Sequence, residues 1–345
     1  MSRFGRRAMA LVFLSALALG AAACGGANAA GSARANAAAA AGGQPAGSQP
    51  AASQPAASQP AMCTPAKATP GTDPAQSLTF AYKNTTRAYL LALPTGYDGV
   101  TRYPLIINFS GFKASKENQE TNTSMGSIAS ARGFIVVTPD ALGNPKRWNT
   151  PGDPAKADDF GFVHALVGDL SNRLCVDSGR VYAAGHSNGS QFAARLVCQA
   201  PYIFSAVALV SGTTPSECPS GVTPSVLSIH GTADKSVPYN GGMVGPDRFP
   251  NVPSVITYDT GRYRCRPDGV TDSPALGVGR ARYTGCAGGA EIDFDTVVGG
   301  THPWPGGPVA VADKTDSLGG KTFHATEAIV DFFATRKATV EVPGR

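Results

Sequence analysis

The chain has 345 residues, 42% of them hydrophobic and 15% charged, which is enough for one large or two ordinary domains. Its formal charge of +5 belongs to one end. Five of the 29 lysines and arginines precede residue 71, no acid precedes Asp73, and residues 71–345 balance to zero, so the basic pI gives no support for a nucleic-acid partner.

Met1 to Arg7 carries three arginines, and the apolar run Ala8 to Leu19 and the small residues Gly20 to Ala23 follow. This is the pattern of a secretory signal over residues 1–23, too short in its apolar part for a membrane span. Arg6-Arg7 leaves the export route open. Cys24 directly follows three alanines, as the lipidated first residue of a bacterial lipoprotein does, although a leucine is usual where Ala21 stands. The alternative is removal of Cys24 with the signal. With Cys24 set aside, Cys63, Cys175, Cys198, Cys218, Cys265 and Cys286 are enough for three disulfides in an oxidising compartment. Residues 24–70 are dominated by Ala, Gly, Ser, Gln and Pro, with a repeat of Ser48-Gln49-Pro50-Ala51-Ala52. They offer almost nothing to bury and read as a disordered tether.

From residue 71 a single domain is expected. Short β-type runs occur at Leu78–Tyr82, Arg87–Leu93, Leu105–Phe109, Phe134–Thr138, Val181–Ala184, Ala206–Val210, Val226–Ile229 and Ile292–Val297. Several are apolar at successive positions, as strands buried on both faces are. Helical spacing appears over Ala155 to Leu174 and Ala325 to Thr335. Strands alternating with helices predict an α/β fold with a mostly parallel sheet covered on both sides.

Between Val181 and Phe192 lies Gly185-His186-Ser187-Asn188-Gly189, a Gly-x-Ser-x-Gly turn between a strand and a helix. That geometry strains the serine, requires side-chain-free neighbours and sets Ser187 at a helix N-terminus. Ser187 is the candidate nucleophile; the bland alternative is a Gly-rich turn. Of five histidines, His302 lies in a Gly- and Pro-rich loop directly after the last predicted strand and is the candidate base. His186, His164, His230 and His324 read as structural or surface residues. Asp234, just past the strand ending at His230, is the candidate acid, against a simple Asx-turn. The order Ser187, Asp234, His302 is that of α/β-hydrolases. The backbone N–H groups of Asn188 and Phe112, the latter in Ser110-Gly111-Phe112-Lys113, are the candidate oxyanion donors.

Arg180 to Gly189, with Asp158 to Phe162, Ile229 to Tyr239, Gly241-Gly242, Tyr283 to Cys286 and Gly300 to Gly307, resemble the secreted polyhydroxybutyrate depolymerase and feruloyl esterase family of α/β-hydrolases, including its actinobacterial lipoprotein members. The resemblance covers residues 78–335 and implies the triad argued above. It also implies a Cys265–Cys286 disulfide, which leaves Cys198–Cys218 and Cys63–Cys175 as the assignment for the other four cysteines, with other pairings of those four still open. The chain departs from the family's pattern at Ser110, where a histidine is usual, and at Pro303.

The expected activity is that of a secreted serine carboxylesterase acting on small or polysaccharide-linked esters, feruloyl or acetyl in type, with plant or cell-wall polysaccharide as a partner. No cofactor, metal or nucleic acid is expected, and membrane contact only through a lipid on Cys24. Trp148 and Trp304 are candidate aromatic walls of the substrate site, against the alternative that both pack the loops. Two other readings are a polyester depolymerase and a non-catalytic wall- or carbohydrate-binding lipoprotein on a hydrolase scaffold.

Overall fold

The computed structural model describes residues 75–215 and 217–337; the signal, Cys24, the tether and Cys63 lie outside them. Ten strands form one sheet. Its centre is parallel and runs β4 (Ile135–Pro139), β3 (Tyr103–Phe109), β5 (Val176–His186), β6 (Ala206–Val210), β7 (Ser225–Gly231), β12 (Ile292–Val297). Antiparallel strands complete both edges: β1 (Gln76–Tyr82) and β2 (Thr85–Ala92) beside β4, and β11 (Val278–Tyr283) and β10 (Val270–Ala275) beside β12. The eight predicted runs are all strands. Those of β4, β6 and β7 are buried at every position, which is what a sheet covered on both faces demands.

One face packs against α3 (Asp159–Arg173) and α4 (Asn188–Gln199), with Phe162, Val167, Phe192 and Val197 in the core. The other packs against α2 (Met125–Ala131) and α8 (Ala325–Ala334), through Met125, Ala129, Ile329 and Phe333. Helix α3 starts four residues later than its spacing predicts. Asp158 caps it, its side chain accepting the Gly161 N–H at 3.0 Å, and residues 150–157 form the approach.

Two features escaped the apolar pattern. The strand β10 is exposed along nearly its whole length and contains Pro274, as an outer strand can. Its neighbour β11 joins β12 by charge: Arg280 stands opposite Asp295 and Arg282 opposite Asp293, and both pairs are ion-paired, at 2.6 Å and 3.3 Å. A small hairpin of β8 (Gly242–Val244) and β9 (Asp247–Phe249), and the helix α5 (Val252–Arg262), sit between β7 and β10 in the chain, and three short helices, α1 (Lys116–Thr123), α6 (Pro308–Ala312) and α7 (Leu318–Thr322), lie in the connections after β3 and β12.

Cys265–Cys286 and Cys198–Cys218 are disulfides. Cys175 is also disulfide-bonded; Cys63, its expected partner, lies outside the described residues. Such bonds mark an oxidising, extracytoplasmic compartment.

Candidate active site

The parallel strands deliver four loops to one end of the sheet. Ser110 to Phe112 leave β3, Ser187 leaves β5, Asp234 follows β7 and His302 follows β12. The turn at Ser187 is as strained as its sequence requires, with φ 53° and ψ −118°. A Cβ at Gly185 would lie 2.4 Å from the Gly189 carbonyl oxygen, and one at Gly189 would lie 2.4 Å from that of Ser110, so neither position admits a side chain. The Ser187 N–H is held by the Val210 carbonyl at 2.9 Å.

The three side chains form one row. His302 Nε2 lies 3.0 Å from Ser187 Oγ, and His302 Nδ1 lies 2.8 Å from Asp234 Oδ2. Asp234 is buried; its other oxygen accepts the N–H groups of Ser236 and Val237 at 2.8 and 2.9 Å. Burial alone would push its carboxyl up, but the hydrogen bond and charge of His302 outweigh it and hold the pKa below the ordinary carboxylate value. Asp234 is therefore ionised and fixes the proton of His302 on Nδ1. That leaves Nε2 free to accept the serine proton, the arrangement that makes a hydroxyl nucleophilic. The N–H groups of Phe112 and Asn188 have no acceptor among the described residues. The Phe112 loop abuts the serine: a Cβ at Gly111 would stand 3.5 Å from that of Ser187.

Two tryptophans expected as candidate walls are not walls. Trp148 is 0% and Trp304 2% exposed. Trp148 stacks on Phe192 and meets Phe109 edge-on, and its Nε1–H donates to the Ser110 carbonyl at 3.0 Å. Its backbone N–H donates to Asn188 Oδ1 at 2.8 Å. Trp148 thus ties the Phe112 loop to the serine turn from beneath. Trp304 donates to Thr326 Oγ1 at 3.1 Å and packs against α8. In the loop that Trp148 supports, Phe112 is exposed, at 45%.

Sequence reasoning also undervalued two histidines. His186 Nε2–H donates to the His302 backbone carbonyl at 2.9 Å, and burial, with the adjacent His302 ring, pushes its pKa down to about 4. His230 donates Nε2–H to the Val237 carbonyl at 2.8 Å and accepts at Nδ1 from Thr213 at 3.1 Å, with Ser228 behind at 2.6 Å. Burial lowers its pKa as well. Only the order His186–Ser187 was visible in sequence; the partner carbonyls come from loops 116 and 7 residues away.

Two cavities of about 690 Å³ and 680 Å³ lie elsewhere, one between β11, β12 and α8, the other beside α4 and Tyr202. Among the described residues no group of three or more His, Cys, Asp or Glu could hold a metal ion.

A mostly parallel sheet carrying a strained strand–serine–helix turn, with an aspartate and a histidine on later strand ends, defines the α/β-hydrolase class. A solved acetyl xylan esterase from Aspergillus awamori has the same fold, with a TM-score of 0.51 at 14% identity over 66% of this chain and 93% of that one. Residues 87–262, just over half of the chain, match the family described as Esterase PHB depolymerase, and the chain belongs to that family. The chain is 30% identical to the Nocardia uniformis subsp. tsuyamanensis protein named "Putative esterase NocK", over 72% of this chain and 79% of that protein. It is 26% identical to Feruloyl esterase B of Piromyces equi over 63% of its own length but spans only 42% of that larger protein. The protein is a hydrolase of carboxylic ester bonds.

Proposed function

We propose that the chain cleaves acyl esters, of feruloyl or acetyl type, through an acyl-enzyme on Ser187. His302 takes the serine proton as Oγ attacks the ester carbonyl, then returns it to the departing alcohol. Asp234 orients the imidazole and balances its charge while it is protonated. The N–H groups of Asn188 and Phe112 take up the developing oxyanion, each contributing about 3–4 kcal/mol to the transition state. Water then attacks the acyl-enzyme by the same route in reverse. The observation that carries this reading is the row from Asp234 through His302 to Ser187, at 2.8 and 3.0 Å, on a strained turn. The acyl preference is supported by the names of relatives, feruloyl esterases among them.

Residues 1–23 act as the export signal, residues 24–70 as a tether, and Cys24 carries the lipid that holds the esterase at the outer face of the membrane, with a polysaccharide ester as its partner. Cys24→Ser should move the enzyme from the membrane fraction to the medium with its specific activity unchanged.

The test of the chemistry is hydrolysis of p-nitrophenyl acetate and methyl ferulate by the full chain beside Ser187→Ala. The variant should lose turnover by about 10⁶-fold, to background. Equal rates in both proteins would remove the mechanism. Clearing of a polyhydroxybutyrate suspension in preference to both small esters would favour polyester as the substrate, as the family's description suggests.

A further inference from the structure

Two segments meet beside the serine turn, residues 110–117, which leave β3 and enter a helix at Lys116, and residues 140–147 after β4. The Lys113 N–H donates to the Lys146 carbonyl at 2.9 Å and pins one loop to the other. Together they carry four cations, Lys113, Lys116, Lys146 and Arg147, against two carboxylates, Glu117 and Asp140. Both carboxylates are taken: Glu117 pairs with Lys116, and Asp140 with Lys146 at 2.6 Å. Lys113 and Arg147 are left over, both exposed and neither in an ion pair among the described residues.

Both left-over charges face the same ring. Lys113 Nζ is 5.3 Å and Arg147 Cζ 5.7 Å from the centroid of the exposed Phe112. A cation on an exposed aromatic ring gains little, and two like charges on one ring repel each other. The two charges stay exposed and without an anion among the described residues, and an anion brought to the ring would be attracted by both. The ring also begins one residue from Gly111, which lies against Ser187. Phe112 is thus the next residue in the chain after one that touches the serine turn.

We propose that Phe112, Lys113 and Arg147 form a substrate subsite that selects esters bearing a carboxylate close to the scissile bond. The ring covers the apolar part of the substrate and the two cations take the carboxylate. This rests on the reading of Ser187 as the esterase nucleophile. A small acid ester and an ester on an acidic polysaccharide share this chemistry.

The test compares matched esters on the full chain: phenyl acetate with 4-acetoxybenzoate, and ethyl benzoate with monoethyl terephthalate. The proteins are wild type and the double variant Lys113→Gln/Arg147→Gln. In at least one pair the KM for the carboxylated member should rise about tenfold in the variant, as loss of two exposed charge contacts allows. The neutral member should stay within about twofold in KM and kcat, which also shows that the variant is folded. Salt at about 0.5 M should erase most of the wild-type preference, because the contacts are exposed. Equal changes for charged and neutral esters, or none, would overturn the subsite. No turnover of any ester by the wild type would instead remove the esterase reading, and the subsite with it. Partially acetylated polygalacturonate beside acetylated xylan separates the two substrate sources. A preference for the acidic polymer assigns a polysaccharide, and a preference confined to the small esters assigns a small acid.

Discussion

At the scale of single residues, His186 and His230 serve by what they hold. Each donates Nε2–H to a backbone carbonyl of a loop that bears one member of the row, His302 itself in one case and the turn around Asp234 in the other. A carbonyl only accepts, so the tautomer of each ring is fixed. Because both are neutral, they add no charge against an imidazolium at His302. His186→Leu should lower kcat on p-nitrophenyl acetate by about 10- to 100-fold with little change in KM, since small displacements of a base have costs of that size. His186→Gln, which can offer an amide N–H to the same carbonyl, should recover most of that loss; equal losses in both would mean that His186 only fills space. A pH dependence follows from the same burial. Between about pH 4, where folded His186 titrates, and pH 6.5, the ordinary value, the unfolded chain binds a proton that the folded chain does not. Stability therefore rises with pH across that window, and His230 acts in the same direction. The urea midpoint should climb from pH 4 to 6.5, and His186→Gln should flatten part of that slope.

At the scale of elements, one buried ion pair organises the loop beneath the site. Arg87 on β2 and Asp159 at the start of α3 are 1% and 0% exposed in their side chains and meet at 2.8 Å. Arg87 also donates to the Asp140 carbonyl at 3.0 Å and lies 3.9 Å over the Phe162 ring, while Asp159 accepts the Asn149 N–H at 2.8 Å. Residues 140–149 are thus gripped at both ends, and Trp148 between them supports the Phe112 loop. Burial raises the carboxyl pKa of Asp159 and lowers the pKa of Arg87, so each charge depends on the other. Asp159→Ala leaves Arg87 charged without its partner and should cost about 3–5 kcal/mol in urea denaturation. Its kcat should fall too, through the displaced Trp148. A loss of stability at unchanged kcat would show that the oxyanion loop is held by other contacts.

At the scale of the whole molecule, the parallel centre of the sheet is stable through burial, and its β10–β12 side is held by different means. Cross-strand ion pairs set the register of β11, and Cys265–Cys286 ties the end of α5 to the chain entering β12, closing a loop with a sequence separation of 21. Since β12 leads directly to His302, this side of the fold carries the base. Replacing both cysteines by serine should lower stability by about 3 kcal/mol, the chain-entropy value for a loop of that length. A loss near zero would mean that the ion pairs alone suffice.

The central strands, the serine turn and the two other members of the row were legible in the sequence, because each rests on local chemistry. A strand buried on both faces must be apolar throughout, a strained turn needs Gly185 and Gly189, and loops at strand ends carry polar groups in a set order. What depends on contacts between distant segments was not legible. Trp148 and Trp304 stood open between site wall and loop packing, and the fold buried them against Phe192 and Thr326. His186 looked like a bystander until the fold brought the His302 carbonyl within 2.9 Å. The strand β11 lacks an apolar signature because its partners are the aspartates of β12. Lys113 and Arg147 stand without an ion pair among the described residues only because folding matched Glu117 with Lys116 and Asp140 with Lys146. Sequence determined the local geometry, and tertiary structure decided which side chains it left exposed, paired or free.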